Sequence, residues 1–160
     1  MKRILLFLLV YINTTIIAQQ KPSYPEPEKG FKKVELELPR IDQEKNINVE
    51  IKFGLNVTVS ECFNPSIFIF NMKNLKIDYA ENPTGFPYYT LVGNSPIEIG
   101  PSFNADPNCD KEKKVKKKLL SSQNISREYN SNYNVLFYIP ENWTLEYRIS
   151  GTNNDFVTIK

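Results

Sequence analysis

Apolar and polar side chains alternate with period two in several stretches of this chain. Val34-Glu35-Leu36-Glu37-Leu38 keeps the pattern until Pro39 stops it, as a half-buried strand does. Ile47, Val49, Ile51 and Phe53 share one side of a second run against Asn48, Glu50 and Lys52, and Leu55, Val57 and Val59 renew it beyond Gly54. Gly54 therefore predicts a bend or bulge between two strands. Further short strands are expected at 67–70, 75–79, 88–92, 115–120, 135–139, 145–149 and 156–159, and no window carries a helical stripe. Many short segments rich in β-branched and aromatic residues, punctuated by Pro, Asn and Gly, predict an all-β chain. The expected architecture is a single antiparallel β-barrel or sandwich, with no repeats and no dividing linker.

The start of the chain follows another rule. Lys2 and Arg3 precede an apolar run from Ile4 to Ile12, and small Ala18 stands before Gln19. Residues 1–18 read as a secretory signal, because the apolar run is too short to span a bilayer comfortably. No Cys follows it, so a lipid anchor is not indicated. Residues 19–29, with Pro22, Pro25 and Pro27, read as an extended arm, and the domain is expected over 19–160. About 140 residues are enough to bury a core.

Charge and composition then narrow the chemistry. The formal net charge of +2 falls to near zero once Lys2 and Arg3 are removed, so nothing argues for a nucleic-acid partner. Two cysteines in an exported chain are expected to pair. The chain has no histidine, which excludes Ser-His-Asp and Cys-His nucleophiles and His-ligated zinc. No metal or other cofactor is indicated. A carboxylate pair is the remaining route to an enzyme, and no Asp or Glu stands isolated among apolar neighbours as such a pair would require. The chain is therefore read as a non-enzyme.

Gly100-Pro101-Ser102-Phe103-Asn104-Ala105-Asp106-Pro107-Asn108-Cys109 reads as a displayed loop. Pro101 and Pro107 fix their own φ and push Gly100 and Asp106 towards extended geometry. A Cys62–Cys109 bond would tie this tip to Phe63-Asn64-Pro65; an ordinary surface connection beside a structural disulfide is the alternative. The charge run Asp110 to Lys118 could meet an anionic surface or serve as a solvated strand edge that resists sheet-to-sheet aggregation. The second reading is preferred, since the run lacks aromatic residues and contains Asp110 and Glu112. Asn56, Asn124 and Asn142 begin glycosylation-acceptor triplets, which matter only in a eukaryotic host.

Several motifs in order carry a family resemblance. Tyr24-Pro25-Glu26-Pro27-Glu28-Lys29-Gly30-Phe31-Lys32-Lys33, Ser60-Glu61-Cys62, Gly85-Phe86-Pro87-Tyr88-Tyr89 and Cys109-Asp110-Lys111-Glu112-Lys113-Lys114-Val115 resemble segments of the ecotin family of periplasmic serine protease inhibitors. So do Tyr129-Asn130-Ser131-Asn132, Tyr138-Ile139-Pro140-Glu141-Asn142 and Glu146-Tyr147-Arg148. The resemblance implies a compact β domain that dimerises by exchanging C-terminal strands, here residues 155–160 with Phe156, Val157, Thr158 and Ile159 at the contact. A tail folded onto its own domain is the alternative. The resemblance also implies chymotrypsin-fold serine proteases as partners, no membrane anchor and a periplasmic location. Inhibition would be substrate-like, with a reactive loop held by Cys62–Cys109 and braced by Phe63 and Asn64. A secondary site would fall on Thr84, Gly85, Phe86 and Pro87 with Asn130 and Asn132.

The reactive loop departs from the family. It is longer than in enterobacterial members and lacks their Met-Met pair. Counting back from Cys109 puts the P1 residue at Asp106, and counting forward from Pro96 puts it near Gly100. Phe103 is preferred within Ser102, Phe103, Asn104, Ala105 and Asp106, because a large apolar side chain suits an open apolar S1 pocket. At the secondary site Thr84 replaces the family's Trp, and Glu128 and Asn132 replace basic residues. Two other readings stand beside inhibition: a secreted β-sandwich binding module for carbohydrate or an envelope protein, and a carboxylate hydrolase, which no local sequence feature supports.

Overall fold

A computed structural model describes residues 23–42, 44–80, 86–92, 97–100, 107–150 and 155–159. The expected signal at 1–18 and the start of the arm lie outside the described residues, as do Ser102, Phe103, Asn104, Ala105 and Asp106.

The chain is all-β among the described residues apart from one 3-10 turn, Met72–Asn74. Its strands are β1 (Phe31–Leu36), β2 (Asn48–Ser60), β3 (Ile67–Ile69), β4 (Leu75–Tyr79), β5 (Pro87–Leu91) and β6 (Glu98–Ile99). The second half adds β7 (Lys114–Ser121), β8 (Ile125–Glu128), β9 (Val135–Pro140), β10 (Trp143–Ile149) and β11 (Val157–Thr158). They form a four-stranded sheet of order β1-β9-β5-β4 and a seven-stranded sheet of order β11-β10-β2-β7-β3-β6, with β8 also on β2. The two sheets bury their facing sides together, so the sandwich form is the one adopted. The expected wholly antiparallel arrangement is corrected, because β3 runs parallel to β7 and β5 runs parallel to β9.

Alternation places the core as expected. Val49, Ile51, Phe53 and Leu55 of β2 face Val34 and Leu36 of β1 and Val135, Phe137 and Ile139 of β9. Phe53 is the hub, with edge-on contacts to Phe70 at 5.2 Å, Trp143 at 5.8 Å and Phe137 at 6.5 Å between ring centres. Burying side chains of this size stabilises by about 1.5–3 kcal/mol each, and these ring geometries add to that.

Strand β9 is buried on both faces, which explains why Val135 to Ile139 is uninterruptedly apolar. Its outer face is covered by the arm. Tyr24 packs edge-on against Tyr88, which packs likewise on Tyr138, and the Tyr138 hydroxyl donates to the Pro25 carbonyl. Burial, with Tyr88, Glu26 and Tyr24 nearby, pushes the Tyr138 phenol up to about 12. The arm returns to β1 through a turn in which the Phe31 N–H donates to the Glu28 carbonyl at 2.9 Å. Gly30 occupies it at φ 87°, a conformation that favours glycine.

Gly54 is not the expected break. β2 runs through it for 13 residues, pairing Gly54 with Thr144 on one side and Leu120 on the other. The glycine is needed for close approach, since a Cβ built there would lie 2.1 Å from Thr144 Oγ1. The break falls instead on the neighbouring edge, where β7 ends and β8 resumes along the same side of β2. The Ser121 hydroxyl fills the gap, accepting from the Phe53 N–H at 3.1 Å and donating to the Gln123 carbonyl at 2.6 Å.

Gly54→Ala is expected to destabilise the chain by about 1–3 kcal/mol through this overlap, and adding Thr144→Ala should recover part of the loss. Urea unfolding measures both. A neutral Gly54→Ala would mean that the close approach does not constrain β2.

Candidate functional site

The disulfide end of the sandwich is where β2 finishes and β7 begins. Cys62 and Cys109 are bonded, with Cα atoms 5.2 Å apart across 47 residues of sequence. Polar contacts between the two cysteine-bearing segments reinforce the bond. The Ser60 hydroxyl donates to the Lys111 carbonyl at 2.8 Å, and the Glu61 N–H donates to the Lys113 carbonyl at 2.8 Å. Glu61 also receives the Lys113 ammonium at 2.6 Å and the Asp110 N–H at 3.3 Å. Those two donors, Lys113 first, hold the Glu61 carboxyl below its ordinary range, and the partnership raises Lys113. This reinforcement is complete at neutral pH and is lost as pH falls through the lowered Glu61 value.

The described residues on either side of 101–106 lie at this end. Gly100 donates its N–H to the Ile67 carbonyl at 3.0 Å, and Cys109 is bonded to Cys62. Both feet of the segment therefore rest on the stretch from Cys62 to Ile67. Within that stretch, the Asn64 side chain accepts from Lys117 Nζ at 2.6 Å, and Phe63 is partly exposed with its N–H donated to the Ser60 carbonyl at 3.0 Å. The expected brace, Phe63 and Asn64, is thus next to the tether. Lys117 holding it was not foreseen, since a lysine inside a charge run gives no sign of which way it points.

The other expected cluster lies at the opposite end of β2. Asn48 pairs with Glu128 while Ser60 pairs with Lys114, a separation of about 40 Å at strand rise. Near the Glu128 end, Phe86 packs on Tyr133 at 5.6 Å, and Arg127 donates to the Tyr133 hydroxyl at 3.1 Å while lying 5.4 Å from the same ring centre. The Asn130 side chain accepts from the Asn132 N–H at 2.9 Å, and Ser131 donates to Glu44. Phe86, Pro87, Asn130 and Asn132 fall in this region; Thr84 and Gly85 lie outside the described residues. Arg127 and Tyr133, which join the Phe86 segment to the Asn130 loop, were missed.

The tail pairs with its own chain in this structure. Glu146 faces Thr158 and Tyr147 faces Val157 across β10 and β11, and the Ile159 N–H donates to the Leu145 carbonyl at 2.9 Å. Phe156 lies under two cations, 5.2 Å from Lys52 and 4.7 Å from Arg148. Glu146 is only 2% exposed, with Lys118 at 2.9 Å and the hydroxyls of Thr144 and Thr158 each at 2.8 Å. Among the described residues no cluster of His, Cys, Asp and Glu could hold a metal ion, and no helix is long and apolar enough to cross a membrane.

Comparison with known proteins decides what scaffold this is. The family model for ecotin matches residues 20–151. The chain belongs to the ecotin family. An ecotin-like protein of Methylobacillus flagellatus is 26% identical over 141 residues, covering 88% of this chain and 81% of the relative. Ecotin membership carries serine protease inhibition in general terms, as a periplasmic activity of inhibitors rather than enzymes. The matched span includes both cysteines, the segment between Gly100 and Cys109, and the Phe86 and Asn130 regions.

Replacing Cys62 and Cys109 by Ser is expected to cost about 4 kcal/mol of stability on chain-entropy grounds. Differential scanning calorimetry of oxidised wild type against the double variant tests this. A change within about 0.5 kcal/mol would show that the surrounding hydrogen bonds hold the end without the sulfur bridge.

Proposed function

We propose that this chain inhibits chymotrypsin-fold serine endopeptidases by presenting Ser102, Phe103, Asn104, Ala105 and Asp106 as a substrate-like segment. The observation that carries the reading is that both feet of the segment, at Gly100 and Cys109, are bonded to the one stretch from Cys62 to Ile67. A segment held at both ends loses little conformational freedom when it enters a protease cleft. Phe103 fills the S1 pocket, and Phe63 and Asn64 support the segment from beneath.

The chemistry is ordinary acyl transfer run reversibly. The protease serine Oγ attacks the Phe103 carbonyl carbon, and the bond to Asn104 breaks as its nitrogen takes a proton from the protease histidine. The Cys62–Cys109 tether keeps the Asn104 amine beside the acyl-enzyme at high effective concentration. That amine re-attacks the ester and expels Oγ, restoring the peptide before water competes.

Exchange of Phe156, Val157, Thr158 and Ile159 between two chains would place the same β10–β11 contacts in trans and give a homodimer. Thr84, Gly85, Phe86, Pro87, Asn130 and Asn132 then form a secondary contact at the far end of the molecule, so that a dimer holds each protease twice. The signal at residues 1–18 directs the chain to the periplasm.

Titration of the mature protein against chymotrypsin, neutrophil elastase and trypsin is expected to give stoichiometric inhibition of chymotrypsin or elastase. Phe103→Ala should weaken it about a hundredfold or more, and light scattering should give a dimer that truncation after Ser150 converts to monomer. Full inhibition by Phe103→Ala, with loss in Asp106→Ala, would move the P1 position to Asp106. Failure against all three proteases would favour the binding-module reading, and a monomeric wild type would exclude strand exchange.

A further inference from the structure

We propose that the outer face of β7 is a docking strip for a linear anionic polysaccharide, a role independent of protease inhibition. Lys114, Lys116 and Lys118 alternate on the exposed side of this strand, spaced about 7 Å apart by strand geometry. Across the ladder they face Ser60, Thr58 and Asn56 in turn. A row of ammonium groups therefore runs beside a parallel row of hydroxyl and amide groups. Asn56, Val57 and Thr58 with Lys116, Lys117 and Lys118 line a shallow hollow of about 440 Å³ there.

The charge on this strip is incompletely neutralised within the protein. Lys113 is paired with Glu61 and Lys118 with the buried Glu146. Lys117 points to the other face of the strand, where it donates to Asn64 Oδ1 and the Phe63 carbonyl and its charge acts on Glu61. Among the described residues Lys114 and Lys116 have neither an ion pair nor a hydrogen bond through their side chains. Asp110 and Glu112 lie ahead of the strand, and no acidic residue interrupts it from Lys114 to Ser121.

The occupant follows from what stands beside the cations. Stacking of nucleic-acid bases needs aromatic faces, and Ser60, Thr58 and Asn56 provide none. Interfacial binding to a bilayer gains from apolar side chains inserted beside the cations; the exposed Ile67 and Ile69 stand on β3 at and beyond Leu120, at the far end from Lys114 and Lys116, whose row provides none. A chain of sugars with carboxylate or sulfate groups along one edge and ring hydroxyls along the other complements both rows. Among the described residues the β7 backbone edge away from β2 meets β3 at Leu120 and Ser121 and no other strand, which places the lysine half outside the described ladder on that edge. This assigns a partner to the charge run, in place of the solvated edge its sequence alone favours.

The test uses the full mature chain with a heparin dodecasaccharide as probe, measured by calorimetry between 50 and 200 mM salt. Binding should be salt-dependent, and Lys114→Glu with Lys116→Glu should weaken it about tenfold or more and remove about 1.5 from the slope of log K against log salt. Lys29→Glu with Lys73→Glu, an equal charge change elsewhere, should alter binding less than about twofold. An equal loss in both double variants, or none in the first, would overturn the proposal. So would equal or tighter binding to phosphatidylglycerol vesicles or to single-stranded DNA. Unchanged thermal midpoints in the variants establish that folding is not the cause.

Discussion

The continuity of β2 is the constraint on which the rest of the molecule depends. Thirteen residues long, β2 hydrogen-bonds to β10 along one side and to β7 and then β8 along the other. It supplies Val49, Ile51, Phe53 and Leu55 to the core. It can stay straight only because Gly54 lets Thr144 and Glu146 lie against its backbone. A shorter or bent strand would separate the core-facing half from the half that reaches Cys62. The rigid line from Asn48 to Ser60 thereby fixes the tethered segment at one end and the Phe86, Tyr133 and Asn130 cluster at the other.

An ionic network lies across the outer side of β2 and its neighbours β10, β7 and β11. Glu146 is buried there although its strand faces solvent, because β11 closes over it and Lys118 and Thr158 complete its bonds. Removing one partner of such a group leaves a charge without compensation, which costs more than the intact network gains over apolar packing. The consequence is a tail held in one register against β10, whichever chain supplies it. Arg148 contributes on both counts, pairing with Glu50 and lying over Phe156. Burial opposes the Glu50 charge, but hydrogen bonds from Arg148 and Asn124 outweigh it and lower its pKa.

Much of this was legible in the residues. Period-two alternation located β1, β2, β4 and β10 to within a few positions, since half-buried strands must alternate, and short runs rich in β-branched and aromatic residues located β3, β5, β7, β9 and β11. The count of two cysteines anticipated the Cys62–Cys109 bond. Gly54 was misread because a bend and a close backbone approach both demand glycine, and only the neighbouring strand distinguishes them. β8 was missed because Ile125-Ser126-Arg127-Glu128 has too little apolar content to signal a strand, and it forms by continuing the edge that β7 vacates. Parallel pairing of β3 with β7 and of β5 with β9 leaves no mark on a single strand's pattern. Of the candidate site, Phe63 and Asn64 beside the tether were legible. Lys117, Arg127 and Tyr133 were not, because each acts through a contact many residues away or across a loop.

The central claim is that the segment between Gly100 and Cys109 meets a protease as a substrate that is cut slowly and held together. Its most direct measurement is the mass of the chain recovered after long incubation with equimolar chymotrypsin. The account predicts intact chain together with a form nicked only between residues 101 and 108, whose two pieces stay joined until the disulfide is reduced. Cleavage elsewhere in the domain, or progressive loss of the chain to small fragments, would contradict it.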